Sequence, residues 1–386
     1  MKDRVRQILR EDIIREERVQ MNIPIPDDIR QIKDIFVKNG HKLFVVGGAV
    51  RDSILNKPIK DWDLATDATP DKVETMMQQA GLKTLPTGKA FGVINVFTDS
   101  DEYEIATFRR DLGSGRRPDS VEFTTIDQDV KRRDLTINAL FFDIDTGEVV
   151  DLVGGIDDLK KGVVRTVGSP EERFGEDRLR ILRAIRFAGR FGSGVDSAVD
   201  AALKKDNSLE GISPERIRDE FLKGIRTAKS TRHFLTLIDR YNLWDGIFPG
   251  IKVNKKFIES KDPIEVIATL MLGNDPSTLS KQLNKLTYSA AENKVITFLM
   301  VFSKFDDLND VFKIKKLQNK SGISKDQLIS FNQENTILPN AVMNAFLGFE
   351  LSVTGDQVQQ ELGVKPGPEM GQAIEKLEIE NFKKLL

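Results

Sequence analysis

The sequence contains no cysteine, and His41 and His233 are its only two histidines. The lack of cysteine excludes disulfides, thiolate nucleophiles and metal sites built on cysteine ligands. No apolar run approaches the roughly 18 residues that a membrane-spanning helix needs. The N-terminus also lacks the apolar segment of a secretion signal. We therefore expect a cytoplasmic protein whose chemistry depends on carboxylates, arginines and backbone groups.

The sequence also lacks an excess of one charge. Its 58 Lys and Arg residues nearly balance its 60 Asp and Glu residues, giving a net charge of −2. Binding to nucleic acid would therefore depend on local basic patches. Arginine-rich segments of this kind occur at 109–117, 131–133 and 178–190. The chain has 386 residues, which is enough for about two to four packed units.

The hydrophobic pattern changes along the chain. Short apolar runs predict strands at 43–46, 62–65, 92–98, 102–108, 120–124 and 140–143. Helical patterns lie between them at 28–39, 49–55, 70–80 and 135–140. After Gly168 the pattern is helical, and Ser-Pro pairs at 169–170 and 213–214 predict helix starts. The sequence predicts an α+β fold, with an N-terminal α/β head followed by an all-helical neck, body and tail.

Two acidic residues, Asp61 and Asp63, form the most informative pair. They lie two apart on a predicted strand, so both side chains point to one face, about 7 Å apart along the chain. Although an isolated pair of this kind usually marks a surface turn, this one follows Gly47-Gly48 and Arg51. The glycines allow backbone N–H groups to approach a phosphate, and Arg51 can pair with it. Because Mg²⁺ prefers carboxylate and phosphate oxygens, the pattern predicts metal-assisted phosphoryl transfer.

Several segments resemble, in order, the motifs of class II tRNA nucleotidyltransferases and bacterial poly(A) polymerases. They are GGAVRDSIL, DWDLAT, EIATFRRD, RRPDSVEFT, RRDLTINAL, GSPEERFGEDRLRILRAIRFAGRF and SPERIRDEF. They span residues 44–221, and LGVKPGPEMG at 362–371 resembles the tail of bacterial CCA-adding enzymes. The resemblance implies a polymerase beta-like nucleotidyltransferase head that extends the 3′ end of RNA without a template.

The resemblance also implies the catalytic roles. Asp61 and Asp63 would hold two Mg²⁺ ions that activate the RNA 3′-hydroxyl and neutralise the pyrophosphate leaving group. Glu104, on the predicted strand 102–108, is a candidate third carboxylate. The alternative, an exposed glutamate on an edge strand, fits the sequence equally well.

Nucleotide contacts are implied by two further motifs. Arg132 and Arg133 would bind the triphosphate, and Asp134 would accept from a ribose hydroxyl or cap a helix. Asp177 and Arg180 correspond to the residues that read the incoming base in this family. Cytosine and adenine offer an amino donor to the carboxylate and a ring acceptor to the guanidinium, whereas guanine and uracil present a carbonyl oxygen instead.

The remaining nucleotide-binding candidates are Gly48, at the glycine turn, and two arginines of a predicted helix at 176–190. Arg183 and Arg186 line one face of that helix with Arg180 and Arg190, opposite an apolar face. We expect the arginine face to border a cleft. A further segment, between residues 108 and 121, resembles the flexible loop that helps family members change from CTP to ATP. Its arginines are Arg109, Arg110, Arg116 and Arg117.

The leading hypothesis is therefore a CCA-adding enzyme that uses CTP, ATP, Mg²⁺ and the tRNA 3′ end. Poly(A) polymerase and CC-only or A-only addition are close alternatives, and an inactive tRNA-binding protein is an alternative of another class. The predicted division is a charged helical extension at 1–22, a catalytic head at 23–155, a base-selecting neck at 156–228, a body at 229–310 and a tRNA-binding tail at 311–386. The oligomeric state stays open.

Overall fold

The computed structural model describes residues 16–113 and 119–386. The chain forms two compact units, which divide between Ser208 and Leu209. That boundary falls within the predicted neck at 156–228, and the five-part division stays a prediction. In the part of the chain described, no helix combines the length and the apolar character needed to cross a membrane.

The first unit contains a mixed sheet. The strands of this unit are β1 Glu17–Gln20, β2 Leu43–Val46, β3 Asp63–Thr66, β4 Lys83–Leu85, β5 Val93–Phe97, β6 Glu102–Thr107, β7 Arg109–Leu112, β8 Ser120–Phe123, β9 Leu140–Asp143 and β10 Glu148–Asp151. The strand order of the sheet over the described residues is β1-β10-β9-β2-β3-β6-β5-β4, and β7 and β8 form a separate two-stranded sheet. Neighbouring strands pair antiparallel except for β3 and β6, which are parallel.

Helices of the first unit connect and cover these strands. They are α1 Asp27–Lys38, α2 Gly48–Ile54, α3 Pro70–Gln79, α4 Ile126–Asp129, α5 Gly155–Lys161, α6 Pro170–Glu176, α7 Leu179–Phe191 and α8 Ser197–Lys205, with 3₁₀ turns at Lys89–Phe91, Val130–Arg132 and Thr136–Asn138. An aromatic cluster lies at the centre of the core, where the rings of Phe44, Phe108 and Phe141 have centroids 5.5 to 6.4 Å apart. Phe44 and Phe141 lie on adjacent strands, β2 and β9, and Phe108 directly follows β6. The cluster therefore packs the segment after β6 against these two strands.

Helices alone make up the described secondary structure of the second unit, as predicted. They are α9 Pro214–Thr227, α10 Thr231–Arg240, α11 Trp244–Ile247, α12 Pro263–Leu270, α13 Pro276–Lys285, α14 Ala290–Phe302, α15 Val311–Ser321, α16 Lys325–Asn335, α17 Asn340–Gly348, α18 Gly355–Leu362 and α19 Pro368–Lys383, with a 3₁₀ turn at Leu308–Asp310. Reciprocal capping boxes begin α14 at Ser289, α16 at Ser324 and α18 at Thr354. These caps satisfy backbone N–H groups that helix starts otherwise leave unpaired.

Two sequence-based predictions were wrong in the first unit. The predicted helix at 135–140 is a 3₁₀ turn followed by β9, because its apolar residues are buried on the sheet. The predicted helical extension at 1–22 contains strand β1, which pairs with β10, and residues 1–15 lie outside the described part. The segment 109–120, predicted to be a mobile loop, begins with strand β7, paired to β8; residues 114–118 lie outside the described part, and the mobility stays a prediction. All four residues of β1 are exposed, so it lacks the alternation that identifies a half-buried strand.

A close helix contact in the second unit yields a stability prediction. Gly224 of α9 packs against the buried ring of Phe234 on α10, and a Cβ at this position would overlap the ring. Gly224→Ala should therefore lower the free energy of unfolding by about 1–3 kcal/mol. Urea denaturation followed by circular dichroism measures this change. Gly348→Ala on α17 is the control, because a Cβ there has no atom within 4 Å; equal effects of both substitutions would contradict the packing argument.

Candidate active site

Two of the three candidate carboxylates, Asp63 and Glu104, lie on neighbouring interior strands of the sheet, and Asp61 lies just before the first of these strands. Asp63 begins β3, two residues after Asp61. Parallel pairing of β3 with β6 places Leu64 beside Ile105. The preceding pair of positions is therefore Asp63 and Glu104, which share a face because side chains alternate along a strand. The parallel register, which the sequence pattern did not predict, is what brings Glu104 next to Asp63.

In the described part of the chain, no ion pair offsets the negative charge of Asp63 or Glu104. Restricted hydration raises the pKa of Asp63, the charge of Asp61 raises it further, and Arg133 acts in the opposite direction. Restricted hydration and the charge of Asp63 likewise raise the pKa of Glu104, against the effect of Arg109. Mutual repulsion of this kind is relieved when a cation binds.

The donor set fits a divalent ion that is shared with a substrate. Within residues 16–113 and 119–386, no group of three acidic or histidine side chains converges closely enough to form a metal cluster by itself. Mg²⁺ commonly binds through one or two carboxylates and takes its other ligands from water and substrate phosphates. Asp61 and Asp63 can supply the protein's part of such a coordination sphere.

The glycine turn lies directly beside these carboxylates. Gly47 has φ of 66°, a left-handed conformation that favours glycine. A Cβ there would lie 3.9 Å from Oδ2 of Asp63 and 3.9 Å from the carbonyl oxygen of Asn138. Gly48 then begins α2. The turn therefore places the backbone at the start of α2 close to the carboxylate of Asp63.

Arg51 is anchored under this turn. Its side chain is buried, and its Nη1 donates to Oδ1 of Asn138 at 2.6 Å. Nε and Nη2 donate to the two carboxylate oxygens of Asp52 at 2.9 and 3.0 Å. The guanidinium also lies 5.0 Å from the ring centroid of Phe187 on α7. Arg51 therefore links the helix that follows the glycine turn to Asn138, just before β9, and to Phe187 on α7.

The arginine pair of the RRD motif is held by a residue that the sequence did not single out. Asp129 is 1% exposed, and its Oδ1 accepts from Nε of Arg132 at 2.8 Å. Its Oδ2 accepts from Nε and Nη2 of Arg133 at 3.1 and 3.0 Å. Burial by itself would raise the pKa of Asp129, but Arg133 and Arg132 hold it below its usual value. The guanidinium of Arg133 also lies 4.4 Å from the ring centroid of Phe141.

Asp134 connects the same motif to α7. Its Oδ2 accepts from Nε of Arg183 at 2.6 Å, and its Oδ1 accepts from the backbone N–H of Leu135 at 2.8 Å. Arg183 holds the pKa of Asp134 below its usual value despite the opposing effect of burial. The alternative role predicted for Asp134, as a helix N-cap, was wrong, because the 3₁₀ turn that follows has Leu135 at its N-cap and no side-chain cap.

The predicted two-sided character of α7 is confirmed for its apolar face, since Ile181, Leu182, Ile185 and Ala188 are all buried. Its arginine face contacts the head. Besides the Arg183 contact, Nη2 of Arg190 donates to Asp52 at 2.8 Å, and Nη2 of Arg180 donates to the carbonyl oxygen of Arg132 at 3.1 Å. The Arg186 guanidinium lies 4.2 Å from the Phe187 ring centroid. This face therefore docks the helix onto the candidate nucleotide-binding elements.

The candidate base-reading residues lie at the start of α7. Asp177 occupies the turn between α6 and α7, where its Oδ1 accepts from the backbone N–H of Leu179 at 3.1 Å. Arg180 forms an ion pair with Glu176 and donates to the carbonyl oxygen of Arg173 at 3.2 Å. Both candidates are only partly exposed, and their roles in base selection stay a prediction.

The hairpin arginines differ in burial. Arg109 is partly buried, lies 3.3 Å from Asp111 and donates to the carbonyl oxygen of Phe91. Arg110 is exposed and pairs with Glu122 across the hairpin. Arg116 and Arg117 lie outside the described residues. Arg109 interacts electrostatically with Glu104.

Sequence reasoning missed Asp52, Asp129 and Asn138, which hold the arginines. Each is close in sequence to a recognised motif: Asp52 follows Arg51 directly, and Asn138 ends the segment RRDLTIN. Asp129 precedes Arg132 and Arg133 by three and four residues, the spacing at which helical side chains meet. That spacing is the signal that would have identified it.

Comparison with known proteins agrees with this arrangement. Residues 43–165 match the family model described as the poly A polymerase head domain, and residues 196–254 match a probable RNA and SrmB-binding site of polymerase A. The CCA-adding enzyme of Ligilactobacillus salivarius is 33% identical over an alignment of 402 positions, gaps included. This alignment covers 94% of the present chain and 98% of that protein. The chain belongs to the CCA-adding enzyme family. It is accordingly a nucleotidyltransferase.

Other members of the CCA-adding enzyme family show where the similarity is concentrated and how far the fold extends. The Bacillus subtilis enzyme is 43% identical over 208 residues, covering 53% of this chain and 51% of that protein. The Bacillus stearothermophilus enzyme in complex with CTP has a TM-score of 0.65 at 24% identity and covers 94% of each chain. The Thermotoga maritima enzyme complexed with tRNA has a TM-score of 0.68 at 19% identity and covers 95% of each chain. The fold of the family thus extends over nearly the whole chain.

The raised pKa of Asp63 predicts how its charge affects stability. An acid whose folded-state pKa lies above its unfolded value destabilises the folded state once pH rises through that range. Asp63→Asn should therefore raise Tm in metal-free buffer at pH 7, and the difference should shrink as pH falls towards about 3.9, the ordinary pKa of aspartate. Differential scanning calorimetry across this pH range measures it. Asp99→Asn, in the loop between β5 and β6, is the control; a Tm for Asp63→Asn at or below wild type at pH 7 would contradict the electrostatic argument.

Proposed function

We propose that this enzyme adds C, C and A to the 3′ end of tRNA from CTP and ATP, using divalent ions held by Asp61 and Asp63. The observation that carries the proposal is the uncompensated charge of these carboxylates beside the guanidinium of Arg133. A negatively charged metal site next to a fixed arginine pair suits a metal-bound triphosphate. The names of the full-length relatives, all CCA-adding enzymes, support tRNA as the RNA substrate.

The reaction is a phosphoryl transfer in which the RNA 3′-oxygen bonds to the α-phosphorus and the bond to the β-phosphate oxygen breaks, releasing pyrophosphate. When bound, two Mg²⁺ ions would lower the pKa of the attacking hydroxyl and neutralise charge on the leaving group. Arg132 and Arg133 would orient the triphosphate and balance its charge. Glu104 would act as the third carboxylate, because its register places it beside Asp63.

Selection of the incoming base is assigned to Asp177 and Arg180. The carboxylate can accept from the amino group of cytosine or adenine, and the guanidinium can donate to a ring nitrogen acceptor. Contacts of Arg180 with Glu176 and with the carbonyl oxygens of Arg173 and Arg132 restrict its orientation. A restricted donor can discriminate between bases because it cannot rotate to suit an incorrect one.

Poly(A) polymerase is the second candidate function, since the head matches a family model described by that name. Addition of only CC or only A is a further alternative that the same site would permit. The extent of similarity to CCA-adding enzymes, 94% of this chain for the Ligilactobacillus salivarius relative, favours CCA addition.

The product sequence tests this proposal. Purified protein given tRNA without its CCA end, together with CTP, ATP and Mg²⁺, should add C, C and A and then stop. Sequencing of the RNA 3′ ends measures the result, and long A tails, CC ends or unextended tRNA would each overturn it. Asp61→Ala should lower incorporation about a thousandfold or more while leaving Tm near that of wild type. Retained activity in Asp61→Ala would contradict the metal assignment.

Base selectivity is tested separately at Arg180. Replacing it with alanine should reduce discrimination of CTP over UTP by about tenfold to a hundredfold, as expected for loss of a base contact worth roughly 1–3 kcal/mol. Single-nucleotide incorporation with each NTP gives the ratio of kcat/KM values. Arg178→Ala is the matched control, because Arg178 pairs with Asp206 at 2.9 Å on the other side of the turn. Unchanged discrimination in Arg180→Ala would count against base reading by this residue.

A further inference from the structure

We infer that Asp129 is a positioning residue that fixes Arg132 and Arg133 for the triphosphate and links them to the root of the β7–β8 hairpin. The inference deepens the proposed function, since it takes the arginine pair to be the triphosphate-binding group. It gives a specific task to a buried carboxylate that is not itself placed to contact a base or a metal ion.

The contacts of Asp129 distribute its two oxygens over two chain segments, the start of β7 and the arginine pair at 132–133. Oδ1 accepts from the backbone N–H of Arg109, the first residue of β7, at 3.1 Å, as well as from Arg132. Oδ2 accepts from two nitrogens of Arg133. One carboxylate therefore holds the start of the hairpin and both arginines at the same time.

The arginines keep donors available for a ligand. Asp129 engages Nε and Nη2 of each arginine. Nη1 of each has no hydrogen-bond partner among the residues that the structure describes, and the side chains of Arg132 and Arg133 remain 23% and 14% exposed. The carboxylate thus fixes one side of each guanidinium and leaves the other for an anion.

The negative charge of Asp129 is needed to hold the two guanidiniums close together, so an uncharged residue at this position would not suffice. Burial lowers the pKa of Arg133, the charge of Asp129 raises it, and the neighbouring cation Arg132 lowers it further. Without the negative charge the guanidiniums would repel each other and move apart. Such a displacement of about 1 Å is enough to impair a positioned group strongly.

The shared oxygen also links ligand binding to the hairpin. Arg132 and the backbone of Arg109 donate to the same atom, Oδ1 of Asp129. A triphosphate that orders Arg132 would therefore restrict the carboxylate, and through it the first residue of β7. The hairpin strands pair from Arg109 with Phe123 to Leu112 with Ser120, so an effect at the root would extend along both strands.

The principal test is Asp129→Asn. Asparagine keeps the size of the side chain, but its amide NH₂ group would face N–H groups that now donate to a carboxylate oxygen. Binding of inorganic triphosphate should weaken about tenfold to a hundredfold by calorimetry, and KM for CTP and ATP should rise by a similar factor. kcat should change less than KM, because the triphosphate contacts exist before the reaction as well as during it. Asp127→Asn, on the same short helix but partly exposed, is the matched control and should retain wild-type values.

Wild-type triphosphate affinity and KM in folded Asp129→Asn would overturn the inference, as would equal losses in Asp127→Asn. A failure of the wild-type protein to extend tRNA would instead count against the proposed function, because triphosphate binding is measured without RNA.

A second measurement uses the wild-type protein, so it tests the inference even if Asp129→Asn does not fold. Inorganic triphosphate added to the wild-type protein should slow hydrogen–deuterium exchange at the amides of β7 and β8. Unchanged exchange in both strands at saturating triphosphate would overturn the link to the hairpin.

Discussion

The candidate site depends on an unequal pairing of opposite charges. Its arginines are matched by fixed carboxylates: Asp129 holds Arg132 and Arg133, and Asp134 holds Arg183. Asp61 and Asp63, by contrast, form no ion pair with any residue in the described ranges, and restricted hydration together with the charge of Asp61 raises the pKa of Asp63. Because Asp129 offsets one of the two positive charges of Arg132 and Arg133, these arginines reduce the negative charge at Asp61 and Asp63 only in part. The negative potential therefore remains available for divalent ions and, with them, for a triphosphate.

The same charge pairs determine how α7 lies against the head. Its apolar face is buried, but apolar packing alone tolerates small shifts along a helix axis. The contacts of Arg183 with Asp134 and of Arg190 with Asp52 fix the helix at two points separated by seven residues, about two turns. Partly buried ion pairs contribute little net stability once desolvation is counted, but they specify geometry. Their value here lies in setting the position of the residues that begin α7.

Elements that local interactions determine could be predicted from the sequence, whereas elements that depend on contacts with distant residues could not. Strand β9 and the start of α3 at Pro70 were predicted correctly, because local apolar runs and capping signals identify them. Strand β1 was missed, since pairing with β10, more than a hundred residues away, stabilises an exposed and charged sequence. The helix predicted at 135–140 failed for the related reason that tertiary burial outweighed local propensity. Motif resemblance supplied the candidate residues, but the position of Glu104 beside Asp63 depends on the parallel register of β3 and β6.

Under the proposed function, one backbone group connects the two ends of the bound nucleotide. Nη2 of Arg180 donates to the carbonyl oxygen of Arg132, so the candidate base-reading residue is attached to the candidate triphosphate-binding pair. Arg132 is in turn held by Asp129. A nucleotide whose triphosphate occupies the arginine pair would thus present its base to Arg180 at a distance that the protein sets. Selection among bases then rests on hydrogen bonding at a fixed separation, which a single connected set of side chains can provide without a nucleic-acid template.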